Sequence, residues 1–66
     1  MITMNQIKEA FKSTKDLGNG FFRKGNKEIH AAWGQSYWHF VGYYVDTNEV
    51  AGSFKSLESA KAWLGA

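Results

Sequence analysis

The stretch "GFFRKGNKEIHAAWGQSYWHFVGYYVDTNEVAGSF", residues 20–54, decides the fold because its apolar residues tend to recur at every second position between short turn signals. Those signals are Gly25-Asn26, Gly34-Gln35 and the weaker Thr47-Asn48, and glycine or asparagine in such dipeptides suits a tight hairpin turn. The pattern predicts four short antiparallel strands joined as a meander. The absence of proline agrees, since every strand residue can then donate its backbone N–H.

A helix is predicted on each side of this stretch. Thr3 and Gln6 fit the capping box S/T-x-x-E/Q, and Ser56 is the expected N-cap of the second helix. The first helix is expected to end at "DLGNG", with Gly18 in the left-handed C′ position and Leu17 closing the cap. The apolar residues at helical spacing are Met4, Ile7, Ala10 and Phe11 in the first helix and Leu57, Ala60, Trp63 and Leu64 in the second.

These elements predict a single α+β domain over residues 1–66, in the order α-β-β-β-β-α, with both helices on one face of a four-stranded sheet. The turn at Gly34-Gln35 would place His30 opposite His39, and the turn at Thr47-Asn48 would place Val45 opposite Val50. The expected core face holds Phe22, Ile29, Ala31, Trp33, Trp38, Phe40, Tyr44 and Ala51. The expected second face holds Phe21, Arg23, Glu28, His30, Tyr37, His39, Val41, Tyr43, Val45, Val50 and Phe54.

Composition narrows the functional classes. A chain of 66 residues without cysteine has no disulfide and no thiolate zinc site to stabilise it, which leaves an aromatic core or a partner subunit. The formal charge of +2 is lower than a dedicated DNA-binding domain usually carries. No apolar run approaches a membrane span and no signal peptide is evident, so a cytoplasmic protein is expected.

Catalytic and metal chemistry are not indicated. No nucleophile, base and orienting residue occur in a recognisable set, so we expect no catalytic residue, no cofactor and no enzymatic activity. His30 and His39 could form a metal or acid–base pair, with Glu28 or Glu49 as a third ligand. Two histidines fall short of the three or four ligands that zinc needs, so two half-exposed strand histidines are the favoured interpretation and no metal site is predicted.

The second sheet face is the candidate binding surface. Tyr37, Tyr43 and Val45 with Phe54 could form the central cluster of a protein interface, where tyrosine and tryptophan are enriched, or a satellite cluster packed under the C-terminal segment. The predicted partner-binding residues are Arg23, His30, Tyr37, His39 and Tyr43. A protein partner of unknown identity is therefore expected, and a homodimer through this face or an edge strand is compatible with the pattern.

Basic residues interleaved with aromatic ones can also hold phosphates and stack bases, so DNA is the alternative partner. The residues that would do so are Arg23, Lys24, Lys27, Tyr37 and Lys55. Lysines that lie over apolar rings with their ammonium groups in solvent explain the same pattern without any nucleic acid. The single arginine weakens the phosphate-binding interpretation.

Residues 36–64 carry Trp38, Gly52, Phe54, Ala60 and Trp63 in an order that resembles the AP2-like and integrase N-terminal DNA-binding domain family. The resemblance implies a three-stranded sheet packed on the C-terminal helix, with the exposed sheet face in the DNA major groove. That face would carry Arg23, His30, Tyr37, His39 and Tyr43. The resemblance covers less than half of the chain, and the family's several sheet arginines are reduced here to one.

The favoured functional prediction is a small non-enzymatic module, encoded by a phage or mobile element, that inhibits or adapts a host factor by protein–protein interaction through an aromatic sheet face. The alternative is a small DNA-binding protein that lays its β-sheet in a groove. The two predict different behaviour, because binding to phosphates weakens steeply with added salt and burial of aromatic surface does not.

Overall fold

The computed structural model describes residues 2–66 as two helices and five strands. The helices are α1 (Met4–Ala10) and α2 (Leu57–Leu64), and the strands are β1 (Lys15–Gly18), β2 (Phe21–Lys24), β3 (Lys27–Gly34), β4 (Tyr37–Tyr44) and β5 (Glu49–Phe54). The strands form one antiparallel sheet in chain order. The predicted α+β class is confirmed, but the sheet has five strands where four were expected.

Helix α1 begins as the capping box predicts and ends earlier than expected. Gln6 N donates to Thr3 Oγ1 over 3.2 Å, and Thr3 N donates to Gln6 Oε1 over 2.7 Å. The helix stops at Ala10 because the chain turns after it: Thr14 donates to Phe11 O from both its backbone N, at 3.0 Å, and its hydroxyl, at 2.7 Å. A threonine that bonds the backbone in this way competes with helix continuation.

Strand β1 occupies the segment that was expected to cap the first helix. Lys15 pairs with Arg23 and Asp16 with Phe22, and a bulge then leaves Leu17 as the extra residue of the edge strand. Gly18 does have a positive φ, +85°, but at the end of a strand. All four residues of β1 are exposed, so hydrogen bonding to β2 holds the strand and no alternation of apolar residues marks it in the sequence.

The first predicted hairpin is confirmed and the second is shifted. Gly25-Asn26 joins β2 to β3 with Phe22 opposite Ile29. The next turn is Gln35-Ser36 rather than Gly34-Gln35, with both residues at positive φ as a type I′ turn requires. Each residue of β3 therefore pairs with a residue of β4 two positions later than predicted. Small residues now face large ones across β3 and β4, with Ala31 opposite Phe40 and Gly42 opposite Ile29.

The predicted pairing of β4 with β5 is also wrong, because a four-residue turn over 45–48 replaces the two-residue turn at Thr47-Asn48. Asn48 N closes it by donating to Tyr44 O over 2.7 Å. A bulge then makes Ala51 the extra residue of β5, between the pairs Tyr43–Val50 and Gly42–Gly52. One extra residue exchanges the faces, so Phe54 lies opposite Phe40 on the core face. The prediction that placed Phe54 on the second face is therefore wrong.

Both helices pack on the same side of the sheet, which we call the helix face. Its buried residues, with those of the helices, are Ile7, Phe11, Phe22, Ile29, Ala31, Phe40, Ala60 and Leu64. Three residues expected in this core are exposed: Trp33 and Tyr44 at strand ends, and the bulged Ala51. Within residues 2–66, neither helix has the length and apolar character that crossing a membrane would require.

Candidate binding face

The opposite side of the sheet, which we call the open face, has no helix packed against it among residues 2–66. Its side chains form rows across the strands. One row crosses all five strands, and a second row, next to it on the same face, also crosses all five. The first row is Lys15, Arg23, Glu28, Tyr43 and Val50, and the second is Gly18, Phe21, His30, Val41 and Ser53. Two shorter rows, Ala32–His39 and Gly34–Tyr37, complete the face.

Two pairs of rings on the open face are in contact, one stacked and one tilted. Phe21 and His30 are cross-strand partners, and their rings lie parallel, 4° apart, with centroids 4.1 Å from each other. Tyr37 and His39 lie two residues apart on β4, with ring centroids separated by 4.2 Å. Such contacts restrict the rotamers of the rings. The open face therefore presents two pairs of rings that support each other.

The structure separates the two histidines that the sequence had placed opposite each other. His30 pairs with Val41 and His39 with Ala32, so the two residues are diagonal neighbours on adjacent strands. His39 Nε2 lies 3.0 Å from Gly34 O, and because a carbonyl only accepts, this nitrogen carries the proton. Across residues 2–66 no group of three or more potential metal ligands comes together. The geometry thus agrees with two separately partnered histidines.

The charged residues of the open face lie in its first row. Arg23 Nε donates to Gly25 O over 3.2 Å, which turns the guanidinium towards the β2–β3 turn. Lys15 faces Arg23 across β1 and β2, and Glu28 faces it from β3. Sequence reasoning missed Lys15 because β1 was taken for the end of a helix. The row carries two cations and one acid, so its net charge is small.

The five predicted partner-binding residues, Arg23, His30, Tyr37, His39 and Tyr43, all lie on the open face. The alternative nucleic-acid set does not lie on one surface. Lys27 and Lys24 belong to the helix face, where Lys27 Nζ donates to Trp63 O over 3.1 Å and Lys24 Nζ donates to Gly65 O. These lysines satisfy carbonyls at the C-terminal end of α2, where cations are favoured.

The residues that carry the family resemblance lie together around α2. Trp63 contacts Phe54, with ring centroids 5.8 Å apart, and Ala60 is buried in the core. Trp38 packs at the edge of the same core, and Gly52 pairs with Gly42. Comparisons of the chain with protein-family models, with curated proteins and with solved structures give no match.

Proposed function

We propose that the protein is a non-enzymatic binding module that uses the open face to bind another protein. The observation that carries the proposal is a five-stranded sheet whose uncovered side bears paired aromatic rings beside a short charged row. Rings whose rotamers are restricted by a neighbouring ring lose less conformational entropy when a partner covers them. Tyrosine and arginine are typical of the residues that dominate binding energy, and the open face carries both, at Tyr43 and Arg23.

The cellular setting is part of the same proposal. A small cytoplasmic module encoded by a phage or mobile element could inhibit or adapt a host factor simply by occupying its surface. No catalytic step is needed for that activity, since a tightly bound surface is enough to exclude another partner. A second copy of this chain is an alternative occupant of the open face.

Charge placement favours a protein over DNA as the partner. Lys24 and Lys27, two of the five residues proposed to contact phosphates, already donate to carbonyls at the end of α2. A binder that relies on phosphates gains affinity by releasing counterions from many cationic contacts. The open face offers Lys15 and Arg23 for this purpose and offsets them with Glu28.

DNA binding through the open face is the second candidate. The adjacent pair Lys15 and Arg23, at one edge of a face with exposed rings, is the specific observation in its favour. The family resemblance of residues 36–64 points the same way. This candidate requires the affinity to fall steeply as salt is added, and it requires Arg23→Ala to weaken binding more than Lys12→Ala on the opposite side.

The test is affinity capture from cell lysate with the tagged protein, with and without nuclease, at low and moderate salt. Tyr43→Ala removes a ring of the open face, and Tyr44→Ala, its neighbour in sequence, removes one from the helix face. A stoichiometric protein band that survives nuclease and salt, is lost with Tyr43→Ala and persists with Tyr44→Ala supports protein binding. Recovery of nucleic acid alone contradicts it and favours the second candidate. Light scattering on the purified protein shows whether two copies of the chain associate.

A further inference from the structure

A groove lies mainly on the helix side of the molecule, where α2 begins and the β3–β4 turn closes, and Tyr37 of the open face also lines it. It has a volume of about 310 Å³, close to the lower limit for small-molecule sites. Trp33, Trp38, Phe40 and Leu57 provide its apolar surface, while Ser36 and Lys55 provide polar groups. Its apolar character and size suit a ligand with one ring, two fused rings or a branched aliphatic chain.

The two tryptophans give the groove a fixed shape. Their rings meet edge to face with centroids 5.6 Å apart, and the indole Nε1 of Trp38 donates to Ile2 O over 2.9 Å. Trp33, by contrast, leaves 46% of its surface exposed although it contacts Trp38. Exposed aromatic surface of this kind gains roughly 25 cal/mol for each Å² that a ligand covers. An apolar ligand is therefore favoured at Trp33.

The charge of the groove selects an anion. Among residues 2–66, Lys55 is the only charged residue that lines it, and no carboxylate lies within ion-pair distance of the Lys55 ammonium. Glu58, the acid in the first turn of α2, does not line the groove. The hydroxyl of Ser36 supplies a second donor to an acceptor oxygen. A carboxylate can accept from both an ammonium and a hydroxyl group.

The turn beside the groove has an unusual backbone. Gln35 and Ser36 hold φ angles of +54° and +71°, in the left-handed region that glycine and asparagine adopt more readily. The turn places Ser36 at the groove with a side chain that a glycine would not have. The type I′ hairpin turn requires these φ angles, and it fixes the position of Ser36 beside the groove.

We propose that this groove binds a small apolar carboxylate, with its ring or branched chain against Trp33 and Trp38 and its carboxylate on Lys55 and Ser36. The binding is non-covalent, and the groove shares only Tyr37 with the residues proposed to bind the protein partner. Lys55 lines the groove and Tyr43 does not, so Lys55→Gln and Tyr43→Ala test the two proposals separately.

The test follows the indole N–H signals of the purified protein by two-dimensional NMR during titration with 3-phenylpropionate, indole-3-acetate and 4-methylpentanoate. The matched neutral probes are the primary amides of the same acids. We expect saturable shifts of the Trp33 and Trp38 signals while Trp63, which packs at the other end of α2, stays unchanged. Because the amides lack the charge, they should bind about fivefold to tenfold more weakly.

Two lysine variants locate the carboxylate. Lys55→Gln should weaken binding of the acids about fivefold and leave the amides unchanged, whereas Lys8→Gln, on the exposed side of α1, should change neither. The proposal is overturned if none of the three acids gives saturable shifts below about 10 mM. Equal affinity for acids and amides, or equal effects of the two lysine variants, also overturns it.

Discussion

The two faces of this sheet are built from alternate residues of the same strands, yet they differ in what holds their side chains. On the helix face, side chains from both helices enclose Phe22, Ile29 and Phe40 almost completely. On the open face, rings such as Phe21 and His30 pack mainly against one another. The helix face therefore supplies most of the burial that stabilises the fold, and the rings of the open face stay only partly buried.

Neighbouring basic residues show the same division. Arg23 lies on the open face and donates to the nearby Gly25 carbonyl, whereas Lys24, one residue later, donates to Gly65 beyond the end of α2. Lys27 also lies 5.2 Å from the centre of the Trp63 ring. Side-chain alternation thus gives some cations a structural role and leaves others free to contact a ligand.

The largest expected effect contrasts two adjacent phenylalanines. Phe22→Ala should lower the free energy of unfolding by about 3–5 kcal/mol, because it leaves a cavity in the core beside Phe11, which stacks on it at 4.9 Å. Phe21→Ala should cost about 1 kcal/mol, since it removes only the half-exposed stack with His30. Urea unfolding followed by circular dichroism measures both. Equal costs would mean that the open face is also a packed core.

A smaller effect is expected where α2 meets the sheet. A methyl group at Gly42 would lie 2.9 Å from Cζ3 of Trp63, so Gly42→Ala should displace that ring and cost about 1–3 kcal/mol. Gly34→Ala is the matched control, because its nearest neighbour, His39 Nε2, is 3.8 Å away. Thermal unfolding gives the cost, and the indole N–H signal of Trp63 reports the displacement. A Gly42→Ala protein as stable as the control would place Trp63 elsewhere.

The smallest expected effect on the free energy of unfolding contrasts Lys27, which donates to a carbonyl of α2, with Arg23 on the open face. Lys27→Met keeps an apolar side chain over the Trp63 ring but removes the hydrogen bond to the Trp63 carbonyl and the cation over the ring. The free energy of unfolding should therefore fall by about 1 kcal/mol. Arg23→Met should change it by less than about 0.5 kcal/mol, as an exposed site usually does. Urea midpoints at low salt give the difference. If Arg23→Met lowered the stability more than Lys27→Met, the structural role given to Lys27 would be contradicted.

The face on which most sheet residues lie could be predicted from the sequence, because the error in the predicted β3–β4 pairing was an even number of residues. The β3–β4 pairing moved by two positions, which returns every side chain to its original face. Arg23, His30, Tyr37 and Tyr43 therefore lie on the face where alternation had placed them. The bulge at Ala51 is an odd step, and it moved Phe54 to the other face.

Other features left no signal in the sequence. Strand β1 is an exposed edge whose stability comes from backbone pairing, which does not depend on an alternating pattern, and Lys15 was missed with it. Lys24 and Lys27 seemed available for phosphates because their partners, the Gly65 and Trp63 carbonyls, lie about 40 residues later in the chain. The groove at Trp33 also depends on tertiary packing, since it joins a turn to the start of α2.

The most direct test of the two-face account is a chemical footprint of the captured complex, using tyrosine iodination read by mass spectrometry. Tyr43 and Tyr44 are adjacent in sequence and lie on opposite faces, so each serves as the reference for the other. The account predicts that the partner protects Tyr43 from iodination and leaves Tyr44 as reactive as in the free protein. Protection of Tyr44 with Tyr43 unchanged would contradict it and move the binding surface to the helix face.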